Sequence, residues 1–167
     1  MPKALGVLAS DQPIPNGRVQ LKRAAAAYGV WRVSNQIAEG TVYPDGAGGG
    51  MEISVTPSSP CLWIVRANVM IRGAPGNCPG WFRVDWQIRL SPADLDGLNQ
   101  HVGTTHVYDG NVVSYRTFAG GTCFRLDGGQ AYKASLTHGY SDGYYQDVYI
   151  APDVTRLIGR TVGEGVL

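Results

Sequence analysis

The chain has 167 residues, a formal net charge of +1 and only 16% charged residues, with 23 glycines, 10 prolines and 9 tyrosines. That length allows one domain and some extra chain. The balanced charge gives no global electrostatic case for nucleic acid or an anionic membrane, and the longest apolar runs fall far short of the ~20 residues a membrane span requires.

Glycine stands at about twice its usual share of ~7%, which describes short strands joined by tight turns. Residues 1–10 carry one lysine and a few apolar residues, too little for a secretory signal. The expectation is synthesis in a cytoplasm without general export. Residues 12–17 are rich in turn formers, and their prolines block central strand pairing. Two short apolar runs follow, at 18–22 and 30–33, carrying Val19, Leu21, Trp31 and Val33. Four alanines at 24–27 favour a helix but are too few to hold one. Asp45-Gly46-Ala47-Gly48-Gly49-Gly50 reads as a flexible hinge. Residues 1–50 are therefore expected to form an arm that docks on another surface. Val19, Leu21, Trp31 and Val33 are its candidate anchors and Gly48 to Gly50 its joint. The alternative, that 1–50 supplies the first strands of the same sandwich, stays open.

From residue 51 the strand signal is dense. Met51, Ile53 and Val55 alternate with Glu52, Ser54 and Thr56, and 57–60 is a turn. Trp63, Val65, Ala67, Val69 and Ile71 line one face of 62–72. After a loop at 73–80, Phe82, Val84, Trp86, Ile88 and Leu90 alternate with Arg83, Asp85, Gln87 and Arg89. Period-two alternation gives a strand with one oily and one charged face. The simplest partner for 81–90 is the preceding strand, in a long hairpin. Ser91-Pro92-Ala93-Asp94 reads as a helix start that Gly97 ends after about one turn. Strands resume at 112–118 and 122–126. Asp127-Gly128-Gly129 has hairpin-turn chemistry, and Tyr132, Ala134 and Leu136 line the next strand. A turn at 138–143 leads to strands at 144–150 and 156–162. About eight strands after residue 50, at this spacing, make an all-β antiparallel sandwich or jelly roll over 51–167.

No catalytic constellation accompanies this pattern. A calcium loop from Asp94 would need a bidentate Glu at its twelfth position, where Thr105 stands. His101 and His106 with Asp109 have the residue types of a zinc site, but polar loop histidines are far commoner. There is no Gly-x-Ser-x-Gly elbow, no adjacent pair of acids involving any of the three glutamates, and no phosphate loop at 119–122. Cys61, Cys78 and Cys123 are an odd count with no zinc spacing, so they are expected as buried thiols. The chain is expected to be no enzyme and to use no cofactor and no metal. Most aromatic rings are expected in the core. Tyr108 and Tyr140, read as loop residues, are the candidate surface or binding positions, since a flat ring with a polar tip suits sugars and interfaces.

The segments 60–69, 90–97, 122–132, 143–146 and 157–160, in that order, resemble the C-terminal domains of minor tail proteins from tailed phages of actinobacteria. Those domains are similar to the C1q and tumour-necrosis-factor jelly roll, which assembles as trimers. The resemblance covers roughly 51–162 and brings no catalytic residues. It implies a virion structural protein made in the host cytoplasm: a homotrimer displayed on the particle, held to other virion proteins by its N-terminal arm, and in contact with host surface glycan. The arm would equally suit a capsid decoration protein. A stand-alone carbohydrate-binding module is the competing reading.

Overall fold

A computed structural model describes residues 19–23, 29–33, 40–45, 47–73, 82–102, 106–108, 116–143, 146–150 and 155–163. The sequence features at 12–17, 24–27, 74–81, 109–115 and 144–145, Cys78 and Asp109 among them, lie outside the described residues, as do the side chains of Phe82 and Val84.

Among the described residues there are eleven strands: β1 (Val19–Arg23), β2 (Gly29–Val33), β3 (Glu52–Val55), β4 (Cys61–Gly73), β5 (Phe82–Ser91), β6 (Gln100–Val102), β7 (His106–Tyr108), β8 (Arg116–Leu126), β9 (Tyr132–Gly143), β10 (Gln146–Ile150) and β11 (Arg156–Val162). They form two antiparallel sheets. In the six-stranded sheet β4 is central. One side of it pairs with β8, from Cys61 opposite Leu126 to Ile71 opposite Arg116. Its other side pairs first with β11 and then with β10. β1 lies outside β11, and β2 outside β10. In the five-stranded sheet β9 separates β3 from β5, and β6 and β7 share the far edge of β5.

Alternation builds the core. Trp63, Val65, Ala67 and Val69 of β4 and Phe124 and Leu126 of β8 point inward from one sheet. Ile53, Val55, Trp86, Ile88, Leu90, Ala134 and Leu136 meet them from the other. Each fully buried large side chain is worth about 1.5–3 kcal/mol. Gly159 of β11 sets the closeness of the layers: a Cβ there would lie 2.5 Å from Trp63 Nε1 and 2.7 Å from Ile53 Cδ1.

Several expectations from sequence need correction. β4 and β5 do not form a hairpin, because they sit in different sheets. The 127–130 turn is not a hairpin turn either. It carries the chain from β8 in one sheet to β9 in the other, and Gly128 passes so close to Ser59 that a Cβ would be 2.7 Å from its Cα. Residues 138–143 continue β9 through the expected turn. Asp85 and Gln87, expected on a solvent-facing side of β5, are 6% and 4% exposed. The Arg89 guanidinium folds back to donate to Gln87 Oε1 at 3.0 Å, and Gly139 brings bare backbone against Asp85.

No helix starts at Ser91. Asp94 instead organises a closed loop: its Oδ1 accepts from the Asp96 and Leu98 N–H groups at 3.0 and 2.7 Å. A short polar side chain offers the backbone this alternative to a helical turn. Its Oδ2 accepts from Arg125 N at 3.1 Å, and Leu95 N donates to Arg125 O at 2.9 Å. The connection after β5 thus caps the edge of β8 in the opposite sheet.

The expected glycine hinge is also closed, by contacts among Asp45 and residues 47–50. Asp45, 3% exposed, accepts from Ala47 N at 2.7 Å, Gly49 N at 2.9 Å and Lys22 Nζ at 2.6 Å. Of the segment expected as an arm, the described parts 19–23, 29–33 and 42 pair with strands of the sandwich. β1 and β2 close the six-stranded sheet. Val42 bridges Thr137 of β9, and Tyr43 is 1% exposed in the core.

Candidate functional surface

The outer face of the six-stranded sheet is the feature that calls for a function. Because β4 turns Trp63, Val65 and Ala67 inward, it turns Leu62, Ile64, Arg66 and Asn68 outward. The register then fixes four rows across β1, β11, β4 and β8. The first is Arg23, Arg156, Asn68 and Ala119. The second is Leu21, Ile158, Arg66 and Gly121. The third is Val19, Arg160, Ile64 and Cys123. The fourth, lacking β1, is Val162, Leu62 and Arg125. Leu21 and Leu62 are each 43% exposed and Val162 38%. These are large apolar groups in water beside five guanidiniums.

Two of the guanidiniums, of Arg156 and Arg125, have partners among the described residues. With its amide correctly oriented, the Asn68 oxygen accepts from Arg156 Nε and Nη2, both at 3.0 Å. The Arg66 stem lies across Gly121, where a Cβ would sit 2.8 Å from Arg66 Cγ. Arg125 Nη1 donates to Asp96 Oδ1 at 3.0 Å, an exposed pair that contributes little to stability. At this corner an apolar cleft of ≈ 270 Å³ opens between Leu62, Val162, Leu95, Pro60 and Arg125. Leu95, which lines it, is 53% exposed, and Leu98 on the same loop is 51% exposed.

Cys61 is buried, as expected, but Cys123 is exposed on this face. Partial burial pushes the Cys123 thiol pKa up, and the Asp94 carboxylate adds to the shift. No cluster of three or more His, Cys, Asp or Glu side chains poised for a metal occurs among the described residues. His101 and His106 lie on β6 and β7, and no described helix is long and apolar enough to cross a membrane.

The residues singled out from sequence are dispersed. Tyr108 is on β7 opposite Phe82, and Tyr140 is on β9, so neither is in a loop. Val19 pairs with Arg160 and Leu21 with Ile158 on the sheet that carries the arginine rows. Trp31 and Val33 pair with Val148 and Gln146 at its other end. Of these, Leu21 alone is placed by its exposure on the candidate surface. Sequence reasoning missed the rest of that surface. Its signal was the second face of 62–70, where Leu, Ile, Arg, Asn and Met alternate with the core residues.

No family model matches the sequence, and no curated protein does. Solved structures do. A chain in the structure of infectious bursal disease virus, Gx strain, superposes over 90% of this chain and 33% of its own length, at 9% identity and a TM-score of 0.50. This chain thus spans about a third of that one. The chain is a jelly roll. Eiger TNF from S. frugiperda aligns over 87% of the jelly roll and 92% of its own chain, at 7% identity and a TM-score of 0.49. Murine APRIL aligns over 86% and 98%, at 9% identity and a TM-score of 0.42. At these identities the likeness concerns the fold alone.

Proposed function

We propose that this jelly roll is a non-enzymatic structural protein of a virion, a homotrimer displayed on the particle as a minor tail protein. The observation that carries the reading is the outer sheet face, where Leu21, Leu62 and Val162 stand in water beside Ile64 and Ile158. Apolar area removed from water is worth about 25 cal/mol per Å², and closed symmetry provides a partner for such a face. Threefold symmetry comes from the resemblance to phage tail-protein domains. The likeness to a chain of infectious bursal disease virus supports a place in a virion. It also favours a second reading, a capsid decoration protein of the same fold. In either position, display in many copies multiplies weak contacts with a host glycan, for which Tyr108 and Tyr140 remain the candidates.

Light scattering after size exclusion should give three times the 17.9 kDa chain mass. A monomer at micromolar concentration refutes the trimer. Electron microscopy of particles carrying a tagged copy places the protein on tail or capsid, and its absence from purified particles refutes the virion role. Attachment through the N-terminal segment is tested by deleting residues 1–18, which leaves β1 and every later strand in the chain. Normal incorporation of that variant refutes attachment by those residues.

A further inference from the structure

The first three rows of the outer face carry Arg23, Arg66, Arg156 and Arg160, and they contain no Asp or Glu. Arg23 and Arg156 are direct partners across β1 and β11. Side chains so placed start with Cβ atoms roughly 4.5–5.5 Å apart, and like charges there destabilise the sheet. Arg66 pairs with Ile158, which lies two residues from both Arg156 and Arg160 on β11. It is therefore diagonal to both, a separation that long side chains span. Arg23, Arg66 and Arg160 are exposed and have no ion pair among the described residues. The apolar groups gather at the other end of the face. Leu62, Val162 and the cleft lie there with Arg125, for which Asp96 supplies a counter-charge.

One guanidinium of this group is set in advance. The Asn68 oxygen holds the Nε and Nη2 edge of Arg156, both bonds at 3.0 Å. That leaves both Nη1 hydrogens and one on Nη2 for another acceptor, and it lowers the cost of ordering the side chain on binding. The chemistry of the acceptor follows from the arrangement. Chloride has no directional lone pairs to match the fork. A carboxylate is planar and satisfies one guanidinium. A phosphate carries strongly accepting oxygens in several directions, with up to two negative charges. Guanidiniums arriving from β1 and from β11 can each take a different edge of it.

We propose that Arg23 and Arg156 form a binding site for inorganic phosphate, with Arg66 and Arg160 adding positive potential around it. The bound anion turns a repulsive cross-strand pair into a bridge between β1 and β11. It thereby ties the edge strand β1 to the sheet. The site is built by one chain and does not rest on the homotrimer reading.

The test is isothermal titration of the full chain with inorganic phosphate, in a chloride buffer of fixed ionic strength, beside thermal unfolding in the same buffers. The expected result is a saturable heat at one phosphate per chain, weakened when the chloride is raised, and a Tm that rises to a plateau with phosphate. Arg23→Gln should weaken phosphate binding at least tenfold. It should also raise Tm in phosphate-free buffer, because it removes the like-charged pair. Arg66→Gln should weaken binding severalfold, and Arg125→Gln, whose guanidinium faces Asp96, should bind as the parent does. The absence of a saturable heat in the parent overturns the site. So does an equal response to acetate. A Tm that climbs without a plateau, and equally in Arg23→Gln, is the general effect of phosphate on burial and overturns it as well. Light scattering on the same samples keeps the two readings apart: a monomer that binds phosphate upholds the site and refutes the homotrimer, and a trimer that binds none does the reverse.

Discussion

Gly159→Ala tests how closely the two sheets are packed. The added methyl would meet Trp63 Nε1 at 2.5 Å, Ile53 Cδ1 at 2.7 Å and Trp63 Cε2 at 2.9 Å. Trp63 is fully buried and Ile53 is 5% exposed, so neither has open space to move into. Overpacking of this kind costs about 1–3 kcal/mol. The indole also donates through Nε1 to Gln20 Oε1 at 2.9 Å, which ties β1 to the core. Displacing the ring breaks that bond, for about 1 kcal/mol more. Replacing glycine within a strand returns roughly 0.5–1 kcal/mol of chain entropy. The net expectation is a loss of about 1–3.5 kcal/mol, or about 2–14 °C in Tm for a domain of this size. Thermal unfolding followed by tryptophan fluorescence, at one fixed protein concentration, measures it. Gln20→Ala should lose about 1 kcal/mol alone and little further in the Gly159→Ala background, because the second change finds its bond already broken. A Gly159→Ala protein as stable as the parent refutes the close approach of β3 to β11. Strict additivity with Gln20→Ala refutes the path through the indole.

Four further outcomes are expected. Asp94→Ala strands the N–H groups of Asp96, Leu98 and Arg125 and should cost about 1–3 kcal/mol in denaturant unfolding; an unchanged midpoint refutes the loop's role as a clasp on β8. Asp45 has its pKa lowered to about 2, first by the Lys22 ammonium and then by the Ala47 and Gly49 N–H groups. Its folded value lies below its unfolded value, so its contribution is fully present above about pH 4. That contribution is lost as pH falls through about 2, and Asp45→Asn should flatten this part of the stability–pH curve. Thiol reagents should modify Cys123 before Cys61 in the native protein, faster as pH rises because the thiolate is the nucleophile, and the raised Cys123 pKa moves that rise to higher pH than for a free cysteine; trimer formation should slow that modification, and equal rates for the two thiols refute the exposure difference. Deleting residues 1–45 removes β1, β2, Tyr43 and Asp45 and should give an unstable or insoluble protein, whereas a cooperative melt near that of the parent would show that 1–45 is dispensable to the sandwich.

The class of fold was legible because alternation is a local property. Trp63, Val65 and Ala67 in β4 and Trp86, Ile88 and Leu90 in β5 fall where their period places them. Which strands pair was not legible, because register and sheet membership are set by contacts distant in sequence. Asp127-Gly128-Gly129 has the chemistry of a hairpin turn, yet tight packing of Gly128 on Ser59 makes it a crossing between layers. Asp94 and Gly97 looked like the two ends of a helix. The acceptor oxygens of Asp94 won the competition for nearby N–H groups, and Arg125, far along the chain, completed the set. The arm reading of 1–50 failed for β1 and β2 in the same way: five-residue strands carry too little pattern to reveal that their partners are β11 and β10. The arginine face was visible only as the unused half of the β4 alternation. Its extent appeared once the register had set Arg156 and Arg160 diagonal to Arg66 on adjoining strands.

The pairing of β4 with β11 has a consequence for how the molecule is made. Residues 62–68 emerge from the ribosome long before residues 156–162, their neighbours in the finished sheet. Until then one side of β4 offers unpaired N–H and C=O groups over 62–68, and β1 waits as well, since among the described strands it pairs with β11. Non-local pairing of this kind makes folding slow and leaves strand edges open to other nascent chains. The sandwich therefore closes only after Val162 has left the exit tunnel, and a polysome crowded with half-made copies is where aggregation is most to be expected.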